Sequence, residues 1–284
     1  MNGIFNIYKE AGMTSHDVVN KLRKILKTKA VGHTGTLDPN ATGVLVVAVG
    51  RATKVIEYME NDEKIYRAEL TLGVTTDTED IWGEVLESRE LDKFDLTDER
   101  IRNVLESFIG INYQVPPMYS ALKVNGKKLY ELAREGIEVK REAREIQIFD
   151  ISDIKIAKEK VCFTVHCSKG TYIRTLCKDI GEKLLCGATM SKLERIKAGS
   201  LDIKNSVRLV DLEIEPGKYL INLENVLNKF PIIYLEGEDA KKYINGVKLS
   251  TNKEDGKYRI YIENILYGIA KVEDGKLKSE KKIS

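Results

Sequence analysis

From Val18 to Ile56 the chain holds one acidic residue, Asp38, although its overall Asp and Glu content would place about six in a stretch of that length. The same stretch carries seven Lys or Arg residues: Lys21, Arg23, Lys24, Lys27, Lys29, Arg51 and Lys54. Asp38 stands in the segment GHTGTLDPNATGVLVVAVGRATK (residues 32–54), where Gly and Pro shape a loop leading into an apolar run. A solitary carboxylate in basic surroundings suits a site that meets a polyanion and uses one acid on it. The same residues also suit a plain turn, because Asp-Pro commonly initiates one. Spacing alone does not choose between the two.

The elements around this loop are legible from periodicity. Thr14 or Ser15 can cap a helix whose apolar positions Val18, Val19, Leu22, Ile25 and Leu26 recur at helical spacing. Its polar face carries most of the first basic cluster, as any solvated helix face could. Val44 to Val49 is an apolar run of strand length, which predicts a strand buried on both faces with Asp38 on the loop entering it. Tyr66, Ala68, Leu70 and Leu72 alternate with Arg67, Glu69 and Thr71, the period of a half-buried strand. Residues 75–83 read as a connecting loop whose Asp77, Glu79 and Asp80 form turns or face solvent rather than bind metal.

Further on, Ile101, Val104, Leu105 and Phe108 define a helix after Thr97, a plausible N-cap. Residues 115–144 are dense in Lys123, Lys127, Lys128, Arg134, Lys140, Arg141 and Arg144, with Tyr119 and Tyr130 among them. Interleaved cations and aromatics fit a flexible arm that grips RNA by phosphate contact and stacking; a solvated amphipathic hairpin fits the same composition. Val161 to Cys167 reads as a strand, Ser168-Lys169-Gly170 as a turn, and Ile173, Leu176, Ile180 and Leu184 as the inward face of a helix. Tyr172 and Arg174 fall at that junction, where a side chain can reach a cleft. Beyond Phe230-Pro231 come short strand-like runs, YRIYIENI and LYGIAKV, and the last ten residues read as a frayed Lys/Ser-rich tail.

Composition excludes several classes. With 42% apolar and 32% charged residues over 284 positions, one large domain, alone or with a small second one, is expected. No run approaches the ~18 apolar residues that span a bilayer, and MNGIFNIYKEAG lacks the pattern of a signal peptide, so a cytoplasmic protein is expected. Cys162, Cys167, Cys177 and Cys186 contain no C-x-x-C pair and the three histidines are scattered, so buried reduced thiols are expected rather than structural zinc. A net charge of +2 does not imply nucleic acid by itself; clustering of the basic residues carries that inference.

GHTGTLDPNATGVLVV resembles the signature of the TruB-type pseudouridine synthases, which modify a uridine in the T arm of transfer RNA. Further segments agree in the same order: AGMTSHDVVNKLR at 11–23, KIYRAELTLGVTTDTED at 64–80, PPMYSALKVNGKKLYELAREGIEVKREAR at 116–144 and CSKGTYIRTLCKDIGEKLLCGA at 167–188. The resemblance covers most of residues 1–200 and weakens towards the C-terminus. It implies an α+β fold: a mixed, largely antiparallel sheet with flanking helices in a catalytic domain over 1–230, a thumb insertion at about 112–145, and a short PUA-like β domain over 231–284. The implied activity is isomerisation of uridine 55 in the T loop by a stand-alone monomer, with tRNA as partner and no cofactor, metal, guide RNA or obligate protein partner. Lys9-Glu10 departs from the family's usual Lys-Pro, which loosens a turn but touches no proposed chemical role.

By the same resemblance Asp38 is the catalytic carboxylate, attacking sugar or base, or removing a ribose proton; the sequence does not choose. Arg174 matches the arginine beside it, and Tyr66 the tyrosine that lies against the target base, available for stacking and for proton handling. Tyr172 and Leu193 match positions lining the uracil pocket, and His33 one that supports everted nucleotides; Lys54, apart from the resemblance, could steer phosphate or be a solvated lysine. Reaching a uridine in a folded loop requires extruding it, at a few kcal/mol, which thumb contacts and stacking on Tyr66 would offset. Two other classes compete. Nucleoside or glycoside hydrolysis breaks a similar bond but ordinarily wants two cooperating carboxylates; a non-catalytic RNA-binding protein would have no need of every matched position.

Overall fold

Strand β1 (Gly3–Lys9) and helix α1 (Ser15–Ile25) build the N-terminal corner. The helix starts at a capping box: the Asp17 backbone N–H donates to the Thr14 hydroxyl, and the Thr14 N–H donates back to the Asp17 carboxylate. Such a cap contributes about 1 kcal/mol. Val18, Val19 and Leu22 bury one face of α1 against β2 (Thr42–Val49), which is buried from Gly43 onward, as its apolar run predicts. The structure, a computed structural model, describes residues 1–60 and 63–283.

Five further long strands complete the main sheet: β3 (Lys64–Leu72), β4 (Gly110–Gln114), β5 (Arg144–Ala157), β6 (Lys160–Cys167) and β7 (Ala188–Ala198). Their order is β1-β2-β7-β3-β6-β5-β4, and short strands Val31–His33 and Leu201–Asp202 beside β2 and β7 make it nine-stranded. Only β2 and β7 pair in parallel; every other neighbour is antiparallel. Helices α2 (Asp98–Glu106), capped by Thr97, and α3 (Ile173–Lys183) cover one face. Ile101, Leu105, Ile173, Leu176 and Ile180 pack there against Tyr66, Ala68, Leu70, Phe163 and Val165.

Strand β3 is more deeply set than its alternation suggested. Glu69 and Thr71, expected on a solvated face, are buried. Glu69 is enclosed because Ser191, Lys192 and Lys160 from the two flanking strands donate to its carboxylate, and their stems cover it. That satisfaction holds the carboxyl below its usual range against the burial that would raise it.

Between β3 and α2, Val74–Thr76 pairs with Val85–Ser88 around a turn at 77–84. Between β4 and β5 the chain makes a small hairpin, Lys123–Val124 with Lys127–Lys128, and a short helix, Leu129–Arg134. A mostly exposed hairpin and short helix suit both readings of this stretch, the RNA-gripping arm and the solvated amphipathic hairpin.

The C-terminal residues form a second, five-stranded sheet. Its elements are β8 (Ile232–Leu235), α4 (Gly237–Ile244), β9 (Leu249–Ser250), β10 (Gly256–Ile262), β11 (Ile265–Glu273) and β12 (Lys276–Lys282), in sheet order β8-β10-β11-β12-β9. The frayed tail expected for the last ten residues is instead strand β12, with Ser284 outside the described residues. Leu277 and Ile283 point inward and the lysines outward, so a run that is Lys-rich in composition still has a core face. Tyr261, Leu266, Ile269 and Ile283 pack with Ile4, Val44 and Val46, making the apolar interior continuous between the two sheets. Among the described residues no helix is long and apolar enough to cross a membrane.

Candidate active site

Asp38 lies on the loop that enters β2, and the loop is bonded at several points. Ser15, at the start of α1, accepts the Leu37 N–H at 2.9 Å and donates to the Leu37 carbonyl at 3.2 Å. The Gly12 N–H donates to the Pro39 carbonyl, and the Ala41 N–H to that of Asp38. Lys9, at 0% exposure, donates to the carbonyls of Glu10, Met13 and Pro39 at 2.7–2.9 Å. Burial pushes its ammonium down to about 8, against the pull of the Asp38 charge. Gly43, at φ 101, is where the loop becomes strand; a Cβ there would overlap the carbonyl of Arg195, its parallel partner on β7.

The Asp38 side chain keeps 31% exposure while Arg174 beneath it keeps 6%. The guanidinium holds the carboxylate with two nitrogens, Nε at 3.0 Å and Nη2 at 3.2 Å. It also donates to the carbonyls of Tyr119 (2.7 Å) and Thr78 (3.0 Å). Arg174 sits in the first turn of α3, a turn with no acidic residue of its own. A cation there opposes the helix dipole, so Asp38 supplies the anion that this end favours. Breaking such a buried pair from one side costs about 3–5 kcal/mol.

The turn at 77–84 folds over the same helix end, and this corrects its sequence reading as turn formers or solvated charges. Asp77 does shape a turn, accepting the Glu84 N–H. Glu79 accepts from the Thr175 hydroxyl at 2.6 Å and pairs with Lys178 at 3.5 Å. Asp80 approaches the Arg174 guanidinium at 4.0 Å and accepts from the Thr78 hydroxyl and the Trp82 N–H. Burial raises the Asp80 carboxyl, opposed by Thr78 and Arg174. These residues come close because the neighbouring segment bonds in register with β7, through Met190.

Tyr66 lies buried on β3, in one apolar cluster with Leu37, Ala41, Ile173 and Leu193. Burial pushes its phenol up; the facing Arg195 guanidinium opposes that, while Cys167 and Asp38 add to it. Tyr172 caps α3, its backbone N–H and C=O clamped by the Gln114 amide at 2.8 and 3.0 Å. Its phenol is raised by burial, with Ser120, Arg144 and Arg174 opposing. His33 ends the short strand beside β2 and accepts the Gly35 N–H; burial, then Arg195 and His16, lower its ring. Asp38 and Arg174 are thus paired directly, Tyr66 and Leu193 share an apolar cluster with Leu37 and Ala41 on either side of Asp38, Tyr172 caps the helix that carries Arg174, and His33 shares with Tyr66 the influence of Arg195.

Lys54 does not join them. It follows the far end of β2, and at about 3.3 Å per residue that strand carries it roughly 20 Å from the Asp38 loop. Its ammonium donates to the Lys282 carbonyl on the second sheet. The strand between them sets Lys54 apart from the Asp38 loop, and its bond to the second sheet fits the solvated-lysine alternative better than phosphate steering beside Asp38.

Three residues that matter here escaped the sequence reading: Lys9, Gln114 and Arg195. Arg195 could have been found, because it lies two positions after Leu193 on one strand and so shares its face. Lys9 ends the apolar strand GIFNIYK, a position that already hinted at burial. Gln114 carried no local signal. Among the described residues no group of three or more His, Cys, Asp or Glu is arranged to hold a metal ion.

Fold and site together set one partly exposed carboxylate, clamped by an arginine at a helix N-terminus, beside a sheet that carries a buried tyrosine. A family model described as TruB family pseudouridylate synthase (N terminal domain) matches residues 23–173. One described as tRNA pseudouridylate synthase B C-terminal domain matches residues 174–227. The chain belongs to the TruB family of pseudouridylate synthases. It is 50% identical over 291 residues to the tRNA pseudouridine synthase B of Clostridium perfringens (strain 13 / Type A), covering 99% of this chain and 98% of that one. It is 44% identical to that of Clostridioides difficile (strain 630) over 287 residues, covering 96% and 95%. Among solved structures, a Cbf5-Nop10-Gar1 complex aligns at 26% identity and TM-score 0.74 over 99% of this chain and 85% of that chain. An H/ACA RNP bound to a substrate RNA containing 2'-deoxyuridine aligns at 24% and 0.73, which bears on the fold alone. The 173/174 boundary between the two family models falls inside α3, while the main sheet runs on to Asp202.

Proposed function

We propose that this chain isomerises uridine 55 in the T loop of tRNA to pseudouridine, acting alone and without a cofactor. The observation that carries the reading is the two-nitrogen clamp of Arg174 on Asp38, which orients one carboxylate and leaves it partly open. The whole-length similarity to proteins called tRNA pseudouridine synthase B supports tRNA as the substrate class. Residues 1–230 would form the catalytic domain, with 112–145 as its thumb, and 231–284 a short PUA-like domain. A monomer working in the cytoplasm, with no guide RNA or obligate protein partner, completes the proposal.

In the reaction the bond from ribose C1′ to uracil N1 breaks and one from C1′ to C5 forms. The C5 proton leaves to water and N1 takes one up, so nothing is oxidised or reduced. Asp38 starts the process by covalent attack or by removing a ribose proton. Tyr66, kept neutral by burial, offers a stacking face worth roughly 1–3 kcal/mol and a hydroxyl near the base. Basic and aromatic thumb residues, Lys127, Lys128, Tyr130 and Arg134, hold the backbone of a loop whose shape, more than its sequence, selects it.

Hydrolysis of the same bond is the competing reading, and Asp80 is the second carboxylate it would need. Both Asp80 oxygens are turned inward, to Thr78 and Trp82 on one side and Arg174 on the other. A bare T-arm transcript tritiated at uracil carbon 5 separates the readings. Label should pass into water from a product of unchanged mass, and Asp38→Asn should lower the rate at least roughly 1000-fold while RNA binding persists. Free uracil among the products, or undiminished release by the variant, overturns the proposal; label release that survives replacement of uridine 55 by cytidine overturns its site.

A further inference from the structure

Arg195 is a buried cation that the chemistry above does not use. It is 2% exposed. Its Nε donates to the Val44 carbonyl at 2.7 Å and its Nη2 to the Gly35 carbonyl at 3.1 Å. Among the described residues no carboxylate forms an ion pair with it, whereas Arg174 has Asp38. A buried charge without its own counterion costs several kcal/mol, and carbonyl caps on β2 and the Asp38 loop would be served as well by a neutral donor. The register shows what the charge faces: Arg195 stands directly opposite Tyr66 across the antiparallel pair β7–β3 and opposite Gly43 across the parallel pair β7–β2. Residues directly opposite on antiparallel strands project to the same face.

We propose that Arg195 is a positioning residue for the proton step, fixing the Tyr66 hydroxyl relative to the Asp38 loop and holding the negative charge that passes through the Tyr66 oxygen. This rests on the function proposed above. Once C1′ is joined to C5, the proton on C5 must leave. The Tyr66 phenol first gives its own proton to water; the phenolate so formed takes the C5 proton and is a phenol again, while N1 takes a proton from water. Burial opposes the phenolate, Cys167 on β6 and Asp38 on its loop add to that opposition, and Arg195 on β7 is the facing group that relieves it. One guanidinium would then serve two purposes: bonded to Gly35 it holds the loop of the acid, and opposite Tyr66 it favours the charged form of the base.

The test uses the full-length chain with 3-fluorotyrosine, whose phenol is more acidic than tyrosine's, read by 19F NMR with Tyr66→Phe assigning the resonance. Arg195→Met should move the Tyr66 titration up by at least about one pH unit. It should lower kcat for tritium release roughly 30–300-fold with KM within about threefold. Arg195→Lys, which keeps the charge, should recover most of kcat and most of the titration. The double variant with Tyr66→Phe should be no slower than Tyr66→Phe alone. Asp38→Asn in the same titration separates the carboxylate's influence from the arginine's. A Tyr66 titration unmoved by Arg195→Met, or fully additive losses in the double variant, overturns the proposal. Should Arg195→Met unfold, Arg195→Lys and Arg195→Gln carry both measurements. The NMR arm needs no turnover, so it judges the Arg195–Tyr66 pair even if wild-type protein releases no label, an outcome that would sink the functional reading instead.

Discussion

From Leu37 to Val49 the only exposed residue is Pro39, whereas from Ala121 to Glu145 the only buried one is Leu129. The first stretch carries the acid and the second is the outer part of the proposed thumb; just before it, the Tyr119 carbonyl accepts from Arg174, the guanidinium that also holds Asp38. The acid's loop is fixed from four directions, by Ser15, Lys9, Arg174 and Arg195. The thumb is held mainly by its own hairpin bonds and by Arg141 on the Pro116 carbonyl. For the function proposed, rigid chemistry beside a lightly anchored grip is what extruding a base would need, since an acid misplaced by an ångström loses rate while a grip must conform to RNA. The contrast implies that residues around the acid govern stability and turnover, and thumb residues govern binding and its salt dependence.

Arg174→Met should have the largest effect. It strands Asp38 and the Thr78 and Tyr119 carbonyls, so unfolding free energy should fall by about 3–5 kcal/mol and tritium release should vanish. An unchanged urea midpoint would break the comparison. Lys9 sharpens it through pH. Burial lowers its pKa in the fold to about 8 from an ordinary 10.5, so between these pH values the unfolded chain binds more protons and stability rises with pH. Relative to Lys9→Met, wild-type protein should gain up to about 3 kcal/mol across that window and show a flat difference below it. A difference flat across the window would mean that Lys9 keeps its proton in the fold as readily as in the unfolded chain, so that burial does not depress it.

Gly43→Ala forces a Cβ against the Arg195 carbonyl at a positive φ. A loss of about 2 kcal/mol should appear in chemical denaturation, with kcat falling more than binding. The smallest stability effect belongs to the thumb. Lys127→Ala with Arg134→Ala should leave the melting curve within about 0.5 kcal/mol yet raise KM. The salt dependence of RNA affinity should flatten by about one unit of log–log slope per lost phosphate contact. A thumb variant that melts early, or one with a wild-type KM, would erase the distinction.

Legibility divided along similar lines. The β2 run, the Thr14 and Thr97 caps, the α3 inward face and the lone acid were readable because each is a local pattern within one element. Glu79 and Asp80 were misread because their partners, Thr175, Lys178 and Arg174, lie on a helix nearly a hundred residues away in sequence. Glu69 was misread because two neighbouring strands supply donors that no alternation rule contains. The final strand was misread because composition spoke of lysines, while Leu277 needed only every second position to find a core. Lys54 stands apart because nearness along the chain is undone by a strand's length.

The sequence by itself determined the family resemblance, the one carboxylate worth attention and the periods of the main helices and strands, all encoded in side chains a few positions apart. Which charges meet was decided only by tertiary structure. The parallel β2–β7 pairing and the antiparallel β7–β3 register bring Gly43, Arg195 and Tyr66 into one row, and the packing of α3 brings Arg174 under Asp38. Electrostatic partnership depends on distance in space, and only the closing of a nine-stranded sheet sets that distance for residues this far apart in the chain.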